Sequence, residues 1–172
     1  PVIDIHVDAG PNRARRVIGG ETPAIGALGG HALPVATALT VQDNNRVHEV
    51  HPVDTSLILR QADALIDSCS IVAVKIGIPG NRENAAAIAR LLRQLRAADP
   101  QLPVVLDPVL ASGHGDALGA GNAIAALAEL LPLATVLVPN LPEAQALAAV
   151  PCEHVLVTRG HGGGDLIVNP RP

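Results

Sequence analysis

IVAVKIGIPGNRENAAAIARLLRQLRAADPQLPVVLDP, residues 71–108, decides the fold. Ile71 to Ile76 is a Val- and Ile-rich run that closes at Gly77, the signature of a strand. Asn81 then stands where a helix cap belongs. Ala85, Ile88, Leu91, Leu92 and Leu95 recur at helical spacing, while Arg90, Arg93, Gln94 and Arg96 largely take the other face. Pro100 and Pro103 stop that helix, and Val104 to Leu106 is a second short apolar strand. Two strands separated by a whole helix need a crossover connection, so they run parallel.

The same alternation extends in both directions. Val2 to Val7, Leu33 to Thr40 and Val47 to His51 read as strands. Thr55 to Asp67 reads as a helix with Leu57, Ile58, Ala62, Leu65 and Ile66 on one stripe and Asp54 or Thr55 as its cap. Ala123 to Leu131 is a predicted helix, Thr135 to Val138 a strand, Leu141 to Ala149 a helix, and Val155 to Val157 a strand, with a further strand at Leu166 to Val168. The expected fold class is α/β, with a mostly parallel central sheet flanked by helices on both faces. Ligands of such sheets sit beyond the carboxyl ends of the strands.

Composition narrows the function classes. The chain has 172 residues, 48% of them hydrophobic and 16% charged, with a formal net charge of −4. This is the size of one domain, and its charged fraction is well below the roughly 25% usual in soluble domains. The apolar stretch from Ala117 to Pro142 is interrupted by Glu129, Pro132 and Pro139, so no run of about 20 apolar residues exists and no membrane partner is expected. A mildly acidic chain without clustered Lys and Arg is not expected to bind nucleic acid. Phe, Trp, Tyr and Met are all absent, which is abnormal for a chain of otherwise ordinary α/β pattern, so the sequence is read as a discontinuous one. Cys69 and Cys152 are too few for a disulfide framework and read as free thiols of a cytoplasmic protein.

Chemistry-bearing residues gather after four predicted strands. Gly77-Ile78-Pro79-Gly80 follows one, Asp107-Pro108-Val109 the next, Pro139-Asn140-Leu141-Pro142-Glu143 the third and Thr158-Arg159-Gly160 the fourth. Glycines in the last segment allow backbone N–H groups to approach a phosphate; a flexible turn is the competing explanation. Asn140 and Glu143 have the spacing of a capping box, which alone accounts for both. Asp107 can equally bond backbone amides at a strand end. His48 and His51 are three apart on a predicted strand, so they point to opposite faces and share no metal. No catalytic histidine is assigned, and neither a nucleophile elbow nor a P-loop is present.

Taken together, Gly30 to Asp43 (GHALPVATALTVQD), Ala73 to Gly80 (AVKIGIPG), Val105 to Val109 (VLDPV) and Leu131 to Ala144 (LPLATVLVPNLPEA) resemble the hydroxymethylpyrimidine/phosphomethylpyrimidine kinases, the thiamine-biosynthesis branch of the ribokinase-like superfamily. The likeness covers about residues 26–169, in the family's order. It implies a ribokinase-like fold and transfer of the ATP γ-phosphoryl group, with Mg, to 4-amino-5-hydroxymethyl-2-methylpyrimidine and to its monophosphate. By resemblance, Gln42, Ile78 and Val109 contact the pyrimidine. Asn140, Thr158 and Gly160 approach the nucleotide phosphates, and Glu143 with Asp107 belongs to the Mg site.

Two family segments are not recognisable. The N-terminal glycine-rich motif has no counterpart between Asp8 and Ala27, and the C-terminal anion hole with its catalytic residue has none before Pro172. Only Val150 and Pro151 separate Ala149 from Cys152, where relatives hold a further helix. Residues 1–172 are therefore expected to form a single, incomplete ribokinase-like domain, with its catalytic residue unassigned. Electrostatic stabilisation carries most of phosphoryl transfer, so two alternatives stand beside the kinase: a non-catalytic pyrimidine-binding regulator and a pyridoxal-kinase-like enzyme. The superfamily likeness also implies a homodimer.

Overall fold

The computed structural model describes residues 2–9, 21–43, 47–110, 123–147, 152–158 and 167–170. Its strands are β1 (Val2–Ala9), β2 (Ala32–Gln42), β3 (Val47–Pro52), β4 (Ala73–Ile76), β5 (Val104–Leu106), β6 (Val136–Leu137), β7 (His154–Val157) and β8 (Ile167–Pro170). Its helices are α1 (Glu21–Ala27), α2 (Thr55–Ser68), α3 (Arg82–Ala98), α4 (Ala123–Leu127) and α5 (Leu141–Ala146), with a 3-10 turn at Leu131–Leu133. The strands form one sheet in the order β3-β2-β1-β4-β5-β6-β7-β8. The six from β2 to β7 are parallel, and β3 and β8 are antiparallel edges.

Parallel register turns the period-2 alternation of each strand into rows that run across the sheet. Leu33, Ile3, Val74 and Val104 form one row of paired neighbours. Val35, Ile5, Ile76, Leu106, Leu137 and Val155 form the next. All ten side chains are buried, in one cluster with Ile58 and Ala62 of α2, Ile88, Leu91 and Leu92 of α3, and Leu127 of α4. The intervening positions, among them Ala73, Lys75, Val105 and Val136, are only half-buried. The two faces are thus unequally covered.

Caps set the helix boundaries. Asp54 accepts from the amides of Ser56 and Leu57 at the start of α2, and Asn81 accepts from Asn84 N at the start of α3. At the far end of α3, Arg96 donates through Nε and Nη2 to the Leu102 carbonyl at 3.3 Å, tying the helix exit to the approach of β5. The predicted helix over residues 123–131 is shorter than expected. It ends at Leu127 and gives way to a turn and the 3-10 turn, where Pro132 lacks the N–H that continuation would need. Helix α1 is an element the spacing of apolar residues did not predict, and β4 begins two residues later than expected, at Ala73, where its pairing with β1 starts.

Ile76 is fully buried and Val72 is not, so Ile76→Ala should cost about 2–5 kcal/mol and Val72→Ala no more than about 0.5 kcal/mol in urea unfolding followed by far-UV circular dichroism. The Ser56 hydroxyl, with the amides of Ser56 and Leu57, holds the Asp54 carboxyl below its ordinary range. A depressed folded value means stabilisation present above the unfolded pKa and lost as pH falls through the folded one. The melting-temperature gap between the wild type and Asp54→Ala should therefore be constant at neutral pH and shrink below about pH 4.

Candidate functional site

Strands β4 to β7 leave the sheet at the same edge, and main-chain hydrogen bonds stitch each exit to its neighbour. Gly77 N donates to the Ile5 carbonyl at 2.9 Å, and Asp107 N to the Ile76 carbonyl at 2.8 Å. Val138 N donates to the Leu106 carbonyl and Thr158 N to the Pro139 carbonyl, at 2.9 and 2.8 Å. Ile78, Asp107, Val109, Asn140 and Thr158 are each half-buried along this edge, which is where side chains can be both held by the scaffold and open to a ligand. Lys75, which sequence reasoning did not single out, also reaches it: its Nζ lies 3.5 Å from where a Cβ on Gly77 would stand. A lysine inside an otherwise apolar strand was the available signal.

Asn140 and Glu143 form the capping box that their spacing predicted. Asn140 Oδ1 accepts from Glu143 N at 3.0 Å, and Glu143 Oε2 accepts from Asn140 N at 2.9 Å. Glu143 does more than cap α5. It is only 6% exposed, and its second oxygen, Oε1, accepts from Leu110 N at 3.1 Å. One carboxylate thus fastens the loop leaving β5 to the loop leaving β6. The next link is the parallel bridge between Asn140 and Thr158. Together these bonds join the Asp107–Leu110 segment, Asn140, Glu143 and Thr158 into one group.

The remaining predicted residues stand differently. Gln42 is the last residue of β2, five positions beyond Thr37, or about 16 Å of extended chain. The ladder to β3 shifts register between Val41 and Gln42, and such irregularities bend a strand. The Gln42 side chain and all of Gly160 lie outside the described residues. His48 pairs with Asp43 at 2.8 Å and His51 with Glu49 at 2.6 Å, each with its own carboxylate. Among the described residues no three His, Cys, Asp or Glu side chains gather around one point.

Comparison with known proteins adds an independent line. The family profile described as phosphomethylpyrimidine kinase matches residues 22–161. A hydroxymethylpyrimidine/phosphomethylpyrimidine kinase from Mycobacterium bovis is 38% identical over 124 residues, covering 72% of this chain and 44% of that protein. One from Rhizobium meliloti is 43% identical over 119 residues, covering 69% and 43% respectively. The chain therefore spans less than half the length of these curated relatives. Among solved structures, a phosphomethylpyrimidine kinase from Clostridium difficile 630 superposes with a TM-score of 0.79 at 25% identity, over 98% of this chain and 80% of that one. A pyridoxal kinase from Staphylococcus aureus in complex with pyridoxal gives 0.74 at 20% identity, over 98% and 68%, a likeness of fold.

The carboxylate of Glu143 can be tested by removal. Glu143→Ala leaves the Leu110 and Asn140 amides without their acceptor, at about 1–3 kcal/mol each, so the summed loss in chemical denaturation should approach several kcal/mol. Glu143→Gln keeps one acceptor oxygen and should lose less.

Proposed function

The chain belongs to the phosphomethylpyrimidine kinase family, and on that premise we propose that it transfers the γ-phosphoryl group of ATP to a pyrimidine of thiamine biosynthesis. The acceptor is 4-amino-5-hydroxymethyl-2-methylpyrimidine, and then its monophosphate. In the first step the hydroxymethyl oxygen forms the new bond to phosphorus, the bond from phosphorus to the ADP oxygen breaks, and the hydroxyl proton is released. In this reading Ile78 and Val109 pack against the pyrimidine. Gln42 offers an amide donor and acceptor to its aminopyrimidine edge, and Asn140, Thr158 and Gly160 face the nucleotide phosphates.

The order of strand exits is the observation that carries this reading. Of the proposed pyrimidine contacts, Ile78 and Val109 follow β4 and β5 while Gln42 ends β2 on the far side of β1; the proposed phosphate contacts follow β6 and β7, the next strands beyond β5 in the sheet. A transfer between an alcohol and a nucleotide needs the two ligands side by side in this way. Lys75 adds positive charge at the same edge.

The donor set suits a hard cation. Asp107 and Glu143 supply carboxylate oxygens, and each Glu143 oxygen accepts from one backbone amide, Oε1 from Leu110 and Oε2 from Asn140, leaving lone pairs for ordered water. Mg²⁺ commonly keeps several waters and relies on one or two carboxylates together with substrate phosphates. Asp107 and Glu143 would hold it in that manner, and it would supply charge neutralisation on the nucleotide phosphates. A cytoplasmic homodimer completes the proposal. The two free cysteines, Cys69 and Cys152, support a reducing compartment, and Leu39 and Val41, 51% and 50% exposed on the β2–β3 hairpin, support self-association.

ADP formation measured with hydroxymethylpyrimidine, its monophosphate or pyridoxal as acceptor tests the reaction. Turnover is expected with the two pyrimidines. Turnover with pyridoxal alone would replace the reading with a pyridoxal-kinase-like one, and pyrimidine uptake without ADP would replace it with a binding module. Gln42→Ala should weaken hydroxymethylpyrimidine binding about tenfold in calorimetry, the equivalent of about 1.4 kcal/mol of lost amide hydrogen bonding; an unchanged Kd removes Gln42 from the site.

A further inference from the structure

Behind the Gly77–Gly80 loop lies a polar cluster buried in an aliphatic core. Thr37 and Asn84 are both fully buried, in elements whose other inward residues are apolar. The Thr37 hydroxyl donates to the Ile78 carbonyl at 2.6 Å. The Thr37 carbonyl accepts from Val53 N at 2.9 Å and from Asn84 Nδ2 at 3.5 Å. Asn84 Nδ2 also donates to the Val53 carbonyl at 3.0 Å, and its Oδ1 accepts from the Thr55 hydroxyl at 2.6 Å. The backbone of Asn84 is itself fixed, since its N–H is taken by the Asn81 cap at 2.8 Å.

The loop is fitted to this cluster. Gly80 has φ +93°, and a Cβ there would stand 2.8 Å from the Thr37 carbonyl oxygen and 3.4 Å from Asn84 Nδ2. Glycine is needed for both reasons, conformation and contact. The loop is thus held at Gly77 by β1, at Ile78 by Thr37 and at Gly80 by close approach to the Thr37 backbone. Buried polar groups that are fully satisfied rigidify their surroundings, and an unpaired one is costly. A Val at position 37 would pack in the same volume, so packing alone does not require the hydroxyl.

The geometry points to Thr37, backed by Asn84 and Thr55, as a positioning residue that presets Ile78 for the pyrimidine. Thr37 itself touches no substrate; it acts through the Ile78 backbone. This inference rests on the reading of Ile78 as a pyrimidine contact, and it assigns the rigidity of that contact to three residues outside the pocket. Preorganisation raises affinity by removing the ordering cost from the binding step. Nucleotide contacts on β6 and β7 do not share these bonds, so the effect should be selective.

Calorimetric Kd values for hydroxymethylpyrimidine and for ADP, measured on the full chain with its urea midpoint, test this. Thr37→Val should weaken the pyrimidine about three- to tenfold, as loss of one hydrogen bond implies, with ADP within about twofold of wild type by the same scale. Thr37→Ser, which keeps the donor, should restore pyrimidine affinity. Should Thr37→Val not fold, Thr55→Val, two bonds further back, is expected to give the same selective weakening to a smaller degree. Equal pyrimidine affinity in the folded Val variants, or parallel weakening of both ligands, overturns the inference and leaves the functional reading standing. A wild type that takes up no pyrimidine overturns both.

Discussion

Everything at the site depends on the registration of two transverse rows of aliphatic side chains. Leu33, Ile3, Val74 and Val104 in one, and Val35 through Ile5, Ile76, Leu106 and Leu137 to Val155 in the other, lock adjacent parallel strands at a fixed level. A one-residue slip in any strand would send its row members to the opposite face and half-buried residues such as Lys75 into the core. Each buried Val, Leu or Ile contributes about 1.5–3 kcal/mol by leaving water, so the registered arrangement is strongly preferred over its neighbours. With no Phe, Trp, Tyr or Met in the chain, the fit of these rows rests on Val, Ile and Leu, of which the β-branched Val and Ile have few rotamers.

Because the rows fix the strands, they also fix the level at which each strand ends. Ile76, Leu106 and Leu137 are paired neighbours, and the loops that follow them begin side by side. The few polar bonds between those loops then have only short distances to span. Glu143 can reach both Leu110 N and Asn140 N because β5 and β6 stop level with one another. The aliphatic core and the polar edge are two consequences of the same registration.

Much of this was readable from residue order. Val104 to Leu106 is the predicted strand without change, Asn81 caps α3, and Asn140 with Glu143 forms the predicted box, because caps and apolar runs are local properties. The third bond of Glu143, to Leu110 N, is not local and left no mark in the spacing. Thr37 and Asn84 were missed for a related reason: Thr suits an exposed strand position and Asn a solvated helix turn. A signal did exist for Asn84, which falls on the stripe of Ile88, Leu91 and Leu95 and so had to be inside. Helix α1 escaped because Pro23 and Gly26 weaken helical periodicity over only seven residues.

Strand β1 precedes the other described strands in sequence but lies inside the sheet, with β2 on one side and β4 on the other. Its first edge is satisfied when β2 emerges, Val2 meeting Ala32; its second waits for Ala73. A growing chain therefore carries an unpaired strand edge until α2 and β4 have followed. Such edges are templates for pairing with other chains, and the long separations among the parallel ladders slow the closure that would hide them. The topology that gathers the loops at one edge thus leaves β1 open to pairing with other chains during biosynthesis.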